Sequence, residues 1–288
     1  MNNYVIFADS ACDISPSVLS EWGVKYTSLT FRFEDSDTEY SNEDMPPKEF
    51  YEKMRDGKVA RTSAVNIETL KIAFEQELKN GNDVIYISFS SGLSTTYNSG
   101  RIAAEELSEE YPERKVIAVD SLSASAGYGL LLYLAVEEKK KGASIEEINQ
   151  FVIDTRLNIC HWFTVDDLKY LKRGGRISPT AALVGNMLGI KPILHMDNEG
   201  KLVNVSKSRG RKTALKAIAD KYSELAVNPS QGPVFACQAD CMEDIKELEA
   251  IIKERHGVSF DYIADIGPVI GAHAGPGTLS VFFIGKER

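Results

Sequence analysis

Four short clusters carry residue types that bind or transform anions. Arg61-Thr62-Ser63 stands after Gly57 and before an apolar-periodic stretch that begins near Ile67. Ser and Thr at such a place also cap helices, so capping is the competing reading. Ser90-Ser91-Gly92-Leu93-Ser94-Thr95-Thr96 puts five hydroxyls around one glycine directly after an apolar run. Hydroxyl donors and free amides at a strand-to-helix turn form an anion cradle. Lys172-Arg173-Gly174-Gly175-Arg176 sets three cations around a glycine pair, and Ile270-Gly271-Ala272-His273-Ala274-Gly275-Pro276-Gly277 brackets a histidine with three glycines and a proline. Glycine lets backbone approach a ligand and permits positive φ. The imidazole offers one N–H donor, or two when protonated.

The chemistry these types share is capture of a carboxylate or a related anion. A carboxylate removed from water costs several kcal/mol unless donors replace its hydration. Hydroxyls and an imidazole supply those donors without trapping the charge in a permanent ion pair. Two rivals use the same residues. One is a hydrolase, with Ser94 as nucleophile, His273 as base and Asp9, Asp120 or Asp265 as the third member; Ser94 lacks a G-x-S-x-G elbow. The other is a carrier of a different small anion, since hydroxyl-rich turns also cradle phosphate.

The elements that position these clusters follow from hydrophobic patterning. In the first half, Tyr4–Ala8, Val84–Phe89 and Val116–Val119 are short continuous apolar runs. Each leads through a polar turn into a helical pattern, at Pro16–Trp22, about Thr96–Glu109 and about Ser125–Lys141. That alternation predicts a parallel sheet buried on both faces, with ligands at the carboxyl ends of its strands. Ser144-Ile145-Glu146-Glu147 is a capping box opening a helix to about Asn158. The second half predicts strands at His161–Val165, Pro192–Met196, Leu202–Val205, Val234–Cys237, Tyr262–Asp265 and Thr278–Ile284. Helices are expected at Asp166–Leu171, Thr180–Leu188, Arg211–Tyr222 and Met242–His256. The expected organisation is a mostly parallel, Rossmann-like α/β domain over 1–158 and a second α/β domain over 159–288, with the ligand between them.

Composition narrows the function. The 288 residues are 43% hydrophobic and 26% charged, enough for a sizeable core. A net charge of −9 repels phosphate backbones and anionic headgroups, which argues against nucleic acid. No apolar run approaches the ~18 residues of a membrane span. The first residues read as a strand rather than a signal peptide, so the expected location is the cytoplasm. Cys12, Cys160, Cys237 and Cys241 are scattered and expected to be reduced. Cys237 and Cys241, four apart, have no accompanying His or second Cys pair, so no metal site is expected. No G-x-x-x-x-G-K-[ST] loop and no kinase signature is present, so any ATP chemistry belongs to another protein.

The ordered set Asp9-Ser10…Asp13, Thr62-Ser63, Ser90-Ser91-Gly92-Leu93-Ser94, Asp120-Ser121, Leu171-Lys172-Arg173-Gly174-Gly175-Arg176-Ile177 and Gly271-x-His273-x-Gly275-Pro276-Gly277 resembles the DegV family. These bacterial fatty-acid-binding proteins include the lipid-binding subunit of fatty acid kinase, a non-catalytic part of phospholipid metabolism. The resemblance spans the chain. It implies two α/β domains with one long-chain fatty acid between them as ligand, no cofactor, and a separate kinase subunit that supplies ATP; transient membrane contact is the most that is implied for a bilayer. It implies that Thr62, Ser94 and His273 contact the carboxylate, with Ser63, Thr95 and Gly271 beside them. An arginine matching Arg173 or Arg209 lies near the site, and Arg173 with Arg176 is the expected docking turn for the kinase. The chain departs from the family pattern at Ala64-Val65, where Gln-Pro is common, and at Thr95, where Gly is common. For the acyl tail, Ala181–Val184, Met187–Ile190, Pro192–Leu194 and Ile266–Ile270 are the expected sleeve.

Overall fold

In a computed structural model, which describes residues 3–178 and 189–288, the chain forms three sheets. Strands β1 (Tyr4–Asp9), β2 (Val24–Thr27), β6 (Asp83–Ser88) and β7 (Val116–Asp120) form a four-stranded sheet in the order β2-β1-β6-β7. Every pairing in it is parallel. All six residues of β6 are buried, as expected of a strand covered on both faces. Helices α1 (Pro16–Glu21), α3 (Ile67–Lys79), α4 (Thr96–Glu110), α5 (Ser125–Lys140) and α6 (Ile145–Thr155) connect or cover these strands. The capping box is present: Glu147 N donates to Ser144 Oγ at 3.3 Å, and Ser144 N donates to Glu147 Oε2 at 2.7 Å.

A small antiparallel sheet was not anticipated from patterning. Strands β3 (Thr30–Phe33), β4 (Tyr40–Ser41) and β5 (Ala60–Ser63) run in the order β4-β3-β5 beside α2 (Pro47–Arg55). Phe31 stacks on Tyr40 at 5.3 Å and meets Phe50 edge-on at 5.2 Å, so this unit holds its own aromatic centre. Thr62 and Ser63 therefore sit in a strand, and the capping reading is corrected. Asn66 caps α3 instead, accepting from Thr69 N at 2.8 Å.

From Ile159 onward the strands join a six-stranded sheet, β10-β9-β8-β13-β11-β12. Its members are β8 (Ile159–Thr164), β9 (Ile190–Met196), β10 (Leu202–Arg209), β11 (Phe235–Gln238), β12 (Tyr262–Asp265) and β13 (Leu279–Ile284). Only the β11–β12 pairing is parallel. Neighbouring residues of one strand serve opposite faces. Phe235, Cys237 and Phe282 join the core cluster that contains α5, whereas Ala236, Val281 and Phe283 pack with α8 (Arg211–Leu225) and α9 (Met242–His256). Helix α5 is thus shared between the parallel and mixed sheets. The expected short helix at Asp166–Leu171 is α7, shifted to Lys169–Arg173. Helix α10 (Pro268–Ala274) follows β12. The expected helix Thr180–Leu188 and the sleeve segments Ala181–Val184 and Met187–Leu188 lie outside the described residues. No helix among the described residues is long and apolar enough to cross a membrane.

Candidate ligand-binding site

Thr62 stands on β5, paired with Phe31 of β3. Its Oγ1 lies 2.8 Å from His273 Nε2, near the end of α10. This contact joins residues 211 positions apart and fixes the first part of the site. Ser94 belongs to the turn between β6 and α4. Its Oγ lies 2.8 Å from Thr96 Oγ1 and accepts from Thr96 N at 3.2 Å. Arg176, just past α7, reaches the same turn through Nε, which donates to the Leu93 carbonyl at 3.1 Å. Thr62, Ser63, Ser94, Thr95, Arg176 and His273 all line one cavity of about 470 Å³. That volume suits a small-molecule site.

Most of the remaining wall is apolar. Leu29, Phe89, Phe163, Leu171, Met196 and Phe282 contribute, with Ile266, Val269 and Ile270 from the expected sleeve. Gly189, Ile190, Pro192, Ile193 and Leu194 of the expected sleeve do not line it; Leu194 packs behind the wall with Phe163 and Leu171, and Ile193 in the core on the other face of the sheet. His161, assigned no role from its context, is part of the wall. Its Nδ1 lies 2.9 Å from the Ile159 carbonyl and its Nε2 accepts from Ala124 N at 3.3 Å. Burial pushes its pKa well below the usual range, so both ring nitrogens are used internally and the ring is neutral. Nothing in a strand-like run marks which histidine turns toward a cavity.

The hydroxyl-rich turn divides its labour. Ser91, Ser94 and Thr95 reach the cavity. Ser90 is buried and donates at 2.8 Å to the carbonyl of Gly200, in the β9–β10 turn. A Cβ on Gly92 would also run into that carbonyl, so the glycine admits the neighbouring hairpin rather than a ligand. Gly271 requires a similar correction: it lines neither the cavity nor its mouth, and a Cβ there would strike the Tyr51 hydroxyl. Gly275 has φ +82°, and a side chain there would strike the Tyr170 ring. These glycines serve the packing of α10.

Arg173 is exposed over the Tyr170 ring, 5.2 Å from its centroid, and outside that cavity. Arg209 is exposed at the end of β10, opposite Ile190, and also absent from the wall. Arg176, expected only at a docking surface, is the arginine that enters the cavity wall. Burial, then the positive charges of Arg176, Arg173 and Arg61, push the His273 pKa down to about 3. The ring is therefore neutral at pH 7 and faces a positive field.

A hydrolytic triad is not assembled. Ser94 Oγ is engaged with Thr96 and His273 Nε2 with Thr62, while His273 Nδ1 has no partner among the described residues. Asp9 accepts from Tyr86, Phe89 and Ala11; Asp120 from Ser91 and Leu122; Asp265 from Gln238. A hydroxyl-and-cation mouth on a mainly apolar cavity can instead hold an amphipathic anion.

Comparison with known proteins agrees with this architecture. Residues 3–286 match the family model described as "Uncharacterised protein, DegV family". A DegV domain-containing protein of Clostridium perfringens is 43% identical, covering 100% of this chain and 99% of its own. Among solved structures, a stearic acid-binding protein from Eubacterium ventriosum superposes with TM-score 0.88 at 27% identity, covering 98% of both chains. A DegV family protein from Thermus thermophilus, whose structure describes fatty acid binding, gives 0.87 at 26%, covering 98% of this chain and 99% of that one. DegV of Bacillus subtilis, a fatty acid binding protein, gives 0.83 at 28%, covering 99% and 100%. With a family model spanning nearly its whole length and a relative matched end to end, the chain belongs to the DegV family.

Proposed function

We propose that the protein binds one long-chain fatty acid, tail against the apolar wall of the cavity and carboxylate among Thr62, Ser94, Arg176 and His273, and presents that carboxylate to a separate ATP-dependent kinase subunit. The observation that carries this reading is the single cavity that joins those four polar side chains to an apolar wall. Fatty acid binding by the Thermus, Eubacterium and Bacillus proteins supports the ligand class. At ~0.8 kcal/mol per buried CH₂, a ~16-carbon tail contributes on the order of 10 kcal/mol. The polar mouth then only has to offset desolvation of the head, and it selects an acid over an alcohol or an alkane. The protein acts as a carrier without catalysis of its own.

For kinase docking, the Arg173–Arg176 turn leaves Arg173 exposed at the end of α7, while Arg176 turns into the cavity wall. Phosphoryl transfer depends mainly on alignment and charge stabilisation, so a carrier that fixes one carboxylate oxygen at its surface supplies half of the geometry. The test is denaturing mass spectrometry of freshly purified protein, followed by titration of delipidated protein with palmitate. A stoichiometric long-chain acid in the extract is the expected result. An empty extract together with no palmitate binding would overturn the reading.

A further inference from the structure

The cavity meets polar side chains in two places. The first is the mouth, around His273 at one end of α10. The second lies beyond the other end of that helix. There Gly267 N donates to Asp13 at 2.9 Å, Asp13 also accepts from the Ser125 hydroxyl, and Ser125 lines the cavity. The rise from Gly267 to His273 is about 9 Å at ~1.5 Å per residue, so this inner patch stands well away from the carboxylate site. Cys237 of β11 and Ser280 of β13, paired across the mixed sheet, belong to it, and His161 lines the cavity from β8. All four side chains are buried.

Hydrogen bonding leaves this patch with one kind of capacity. The Ser125 proton goes to Asp13, and the Ser280 proton goes to the Trp162 carbonyl at 3.1 Å. His161 spends both ring nitrogens on Ile159 and Ala124. A hydroxyl carries one donor and two acceptor sites, so donating once leaves each serine oxygen able to accept. The Cys237 thiol lies within reach of Ser125, while Ser280 Oγ accepts no hydrogen bond among the described residues. Ser125 also has φ +52°, a left-handed conformation that strains a residue with a side chain. Its bond to Asp13 holds it there. A sleeve for methylenes alone needs none of this, because a serine oxygen against hydrocarbon keeps its lone pairs unfilled.

We propose that this inner patch is a hydroxyl subsite, and that the ligand is a long-chain fatty acid hydroxylated well away from its carboxylate. The proposal rests on the fatty-acid reading and narrows its ligand class. A hydroxyl on the chain donates to Ser280 Oγ, the acceptor left open, with the weak donor of Cys237 beside it. An oxo group at the same carbon only accepts, and it meets serine oxygens whose protons are already committed. A plain methylene forms neither contact. In a wholly apolar sleeve, a hydroxyl at any position would lose its hydration without return and weaken binding about tenfold or more.

The experiment displaces a fluorescent fatty acid from the delipidated full chain with octadecanoic acid, with its isomers hydroxylated at single positions along the chain, and with the matching oxo acids. One hydroxyl position remote from the head should bind at least as tightly as octadecanoic acid, and the other positions about tenfold more weakly. The oxo acid at the favoured position should bind about tenfold more weakly than its alcohol. Ser280→Ala should then shift the affinity ratio of the favoured hydroxy acid to the plain acid about tenfold toward the plain acid. The wild-type panel decides the proposal even if that variant does not fold. A penalty at every hydroxyl position, an oxo acid that matches its alcohol, or a ratio unmoved in folded Ser280→Ala would overturn the subsite. Plain, hydroxylated and oxo acids that all fail to bind wild type would strike the fatty-acid reading itself, and the subsite with it.

Discussion

Two polar clusters in this molecule end in opposite states. Beneath the parallel sheet's carboxyl edge, Asp9 and Asp13 are buried, and each carboxylate oxygen meets a donor. Asp9 Oδ2 accepts from the Tyr86 hydroxyl at 2.7 Å and Phe89 N at 2.9 Å, and Oδ1 from Ala11 N at 3.2 Å. Asp13 Oδ1 accepts from Gly267 N at 2.9 Å, and Oδ2 from the Ser125 hydroxyl. At the cavity mouth, His273 Nδ1 has no partner and Arg176 no acid among the described residues. A satisfied cluster holds the chain together. An open one that lines a cavity is where a ligand can supply partners.

The contrast breaks most visibly if the satisfied cluster is emptied. Asp9→Ala leaves Tyr86, Phe89 and Ala11 with buried donors and no acceptor. Urea unfolding at pH 7 should show a loss on the order of 3–5 kcal/mol. A loss under about 1 kcal/mol would mean those lone pairs do not hold the fold. His273→Ala and Ser94→Ala should behave the other way. Each should unfold within about 1 kcal/mol of wild type, yet weaken palmitate by roughly 1–3 kcal/mol, measured by ligand displacement. Unchanged affinity in both variants would remove the proposed grip on the carboxylate.

The next effect is smaller and depends on pH. Burial raises the Asp13 pKa from an ordinary 3.8 to about 7, despite its hydrogen bonds to Ser125 and Gly267. The folded state therefore keeps a proton that the unfolded chain releases above pH 3.8. This contribution is complete at low pH and is lost as pH rises through 7. His273 acts in the opposite sense, because its pKa falls from 6.5 to about 3, so its contribution is complete above pH 6.5. His161 and His195 are depressed as well, and an unfolded histidine is still half protonated at pH 6.5, so only a comparison with a variant of Asp13 separates the buried carboxylate from them. Across pH 6.5 to 8 the stability of Asp13→Asn, which keeps an acceptor for Gly267 N, should therefore rise by about 1 kcal/mol relative to wild type. Identical slopes would mean that Asp13 is already ionised in the folded protein.

How far the sequence announced these two clusters depends on what each element packs against. The β1, β6 and β7 runs were legible because a strand buried on both faces reads as an unbroken apolar stretch. The same rule hid the antiparallel nature of β8, β11 and β13. Shared helix α5 covers one face and α8 with α9 the other, so period-two alternation never develops. Thr62, Ser94 and His273 were legible as residue types, but the β3–β4–β5 sheet that carries Thr62 was not. Its signal was the alternation Thr30-Phe31-Arg32-Phe33, with buried phenylalanines between less buried neighbours. The division of hydroxyls into lining Ser94 and structural Ser90 depends on Gly200, more than a hundred residues away. Likewise, the carbonyl of Leu93 draws Arg176 into the wall and leaves Arg173 outside, which no spacing around Gly174-Gly175 could decide.

The smallest effect bears on the same contrast through a single proton. His273 is neutral at pH 7, its pKa held near 3 by burial and three arginines. A bound carboxylate brings an opposite charge beside the ring and raises its pKa. The complex then holds more protons than the separated partners, so affinity should increase as pH falls from about 8 to 6. Calorimetry at pH 6.5 in two buffers of different ionisation enthalpy should register uptake of a fraction of a proton per palmitate. His273→Gln, which keeps hydrogen-bonding capacity and cannot titrate, should abolish it. Uptake that survives in His273→Gln would move the responding group to the buried cluster, where Asp13 is bonded to Ser125, itself part of the cavity wall. The satisfied cluster would then be reporting ligand occupancy as well as holding the fold, and the line drawn between the two regions would have to be given up.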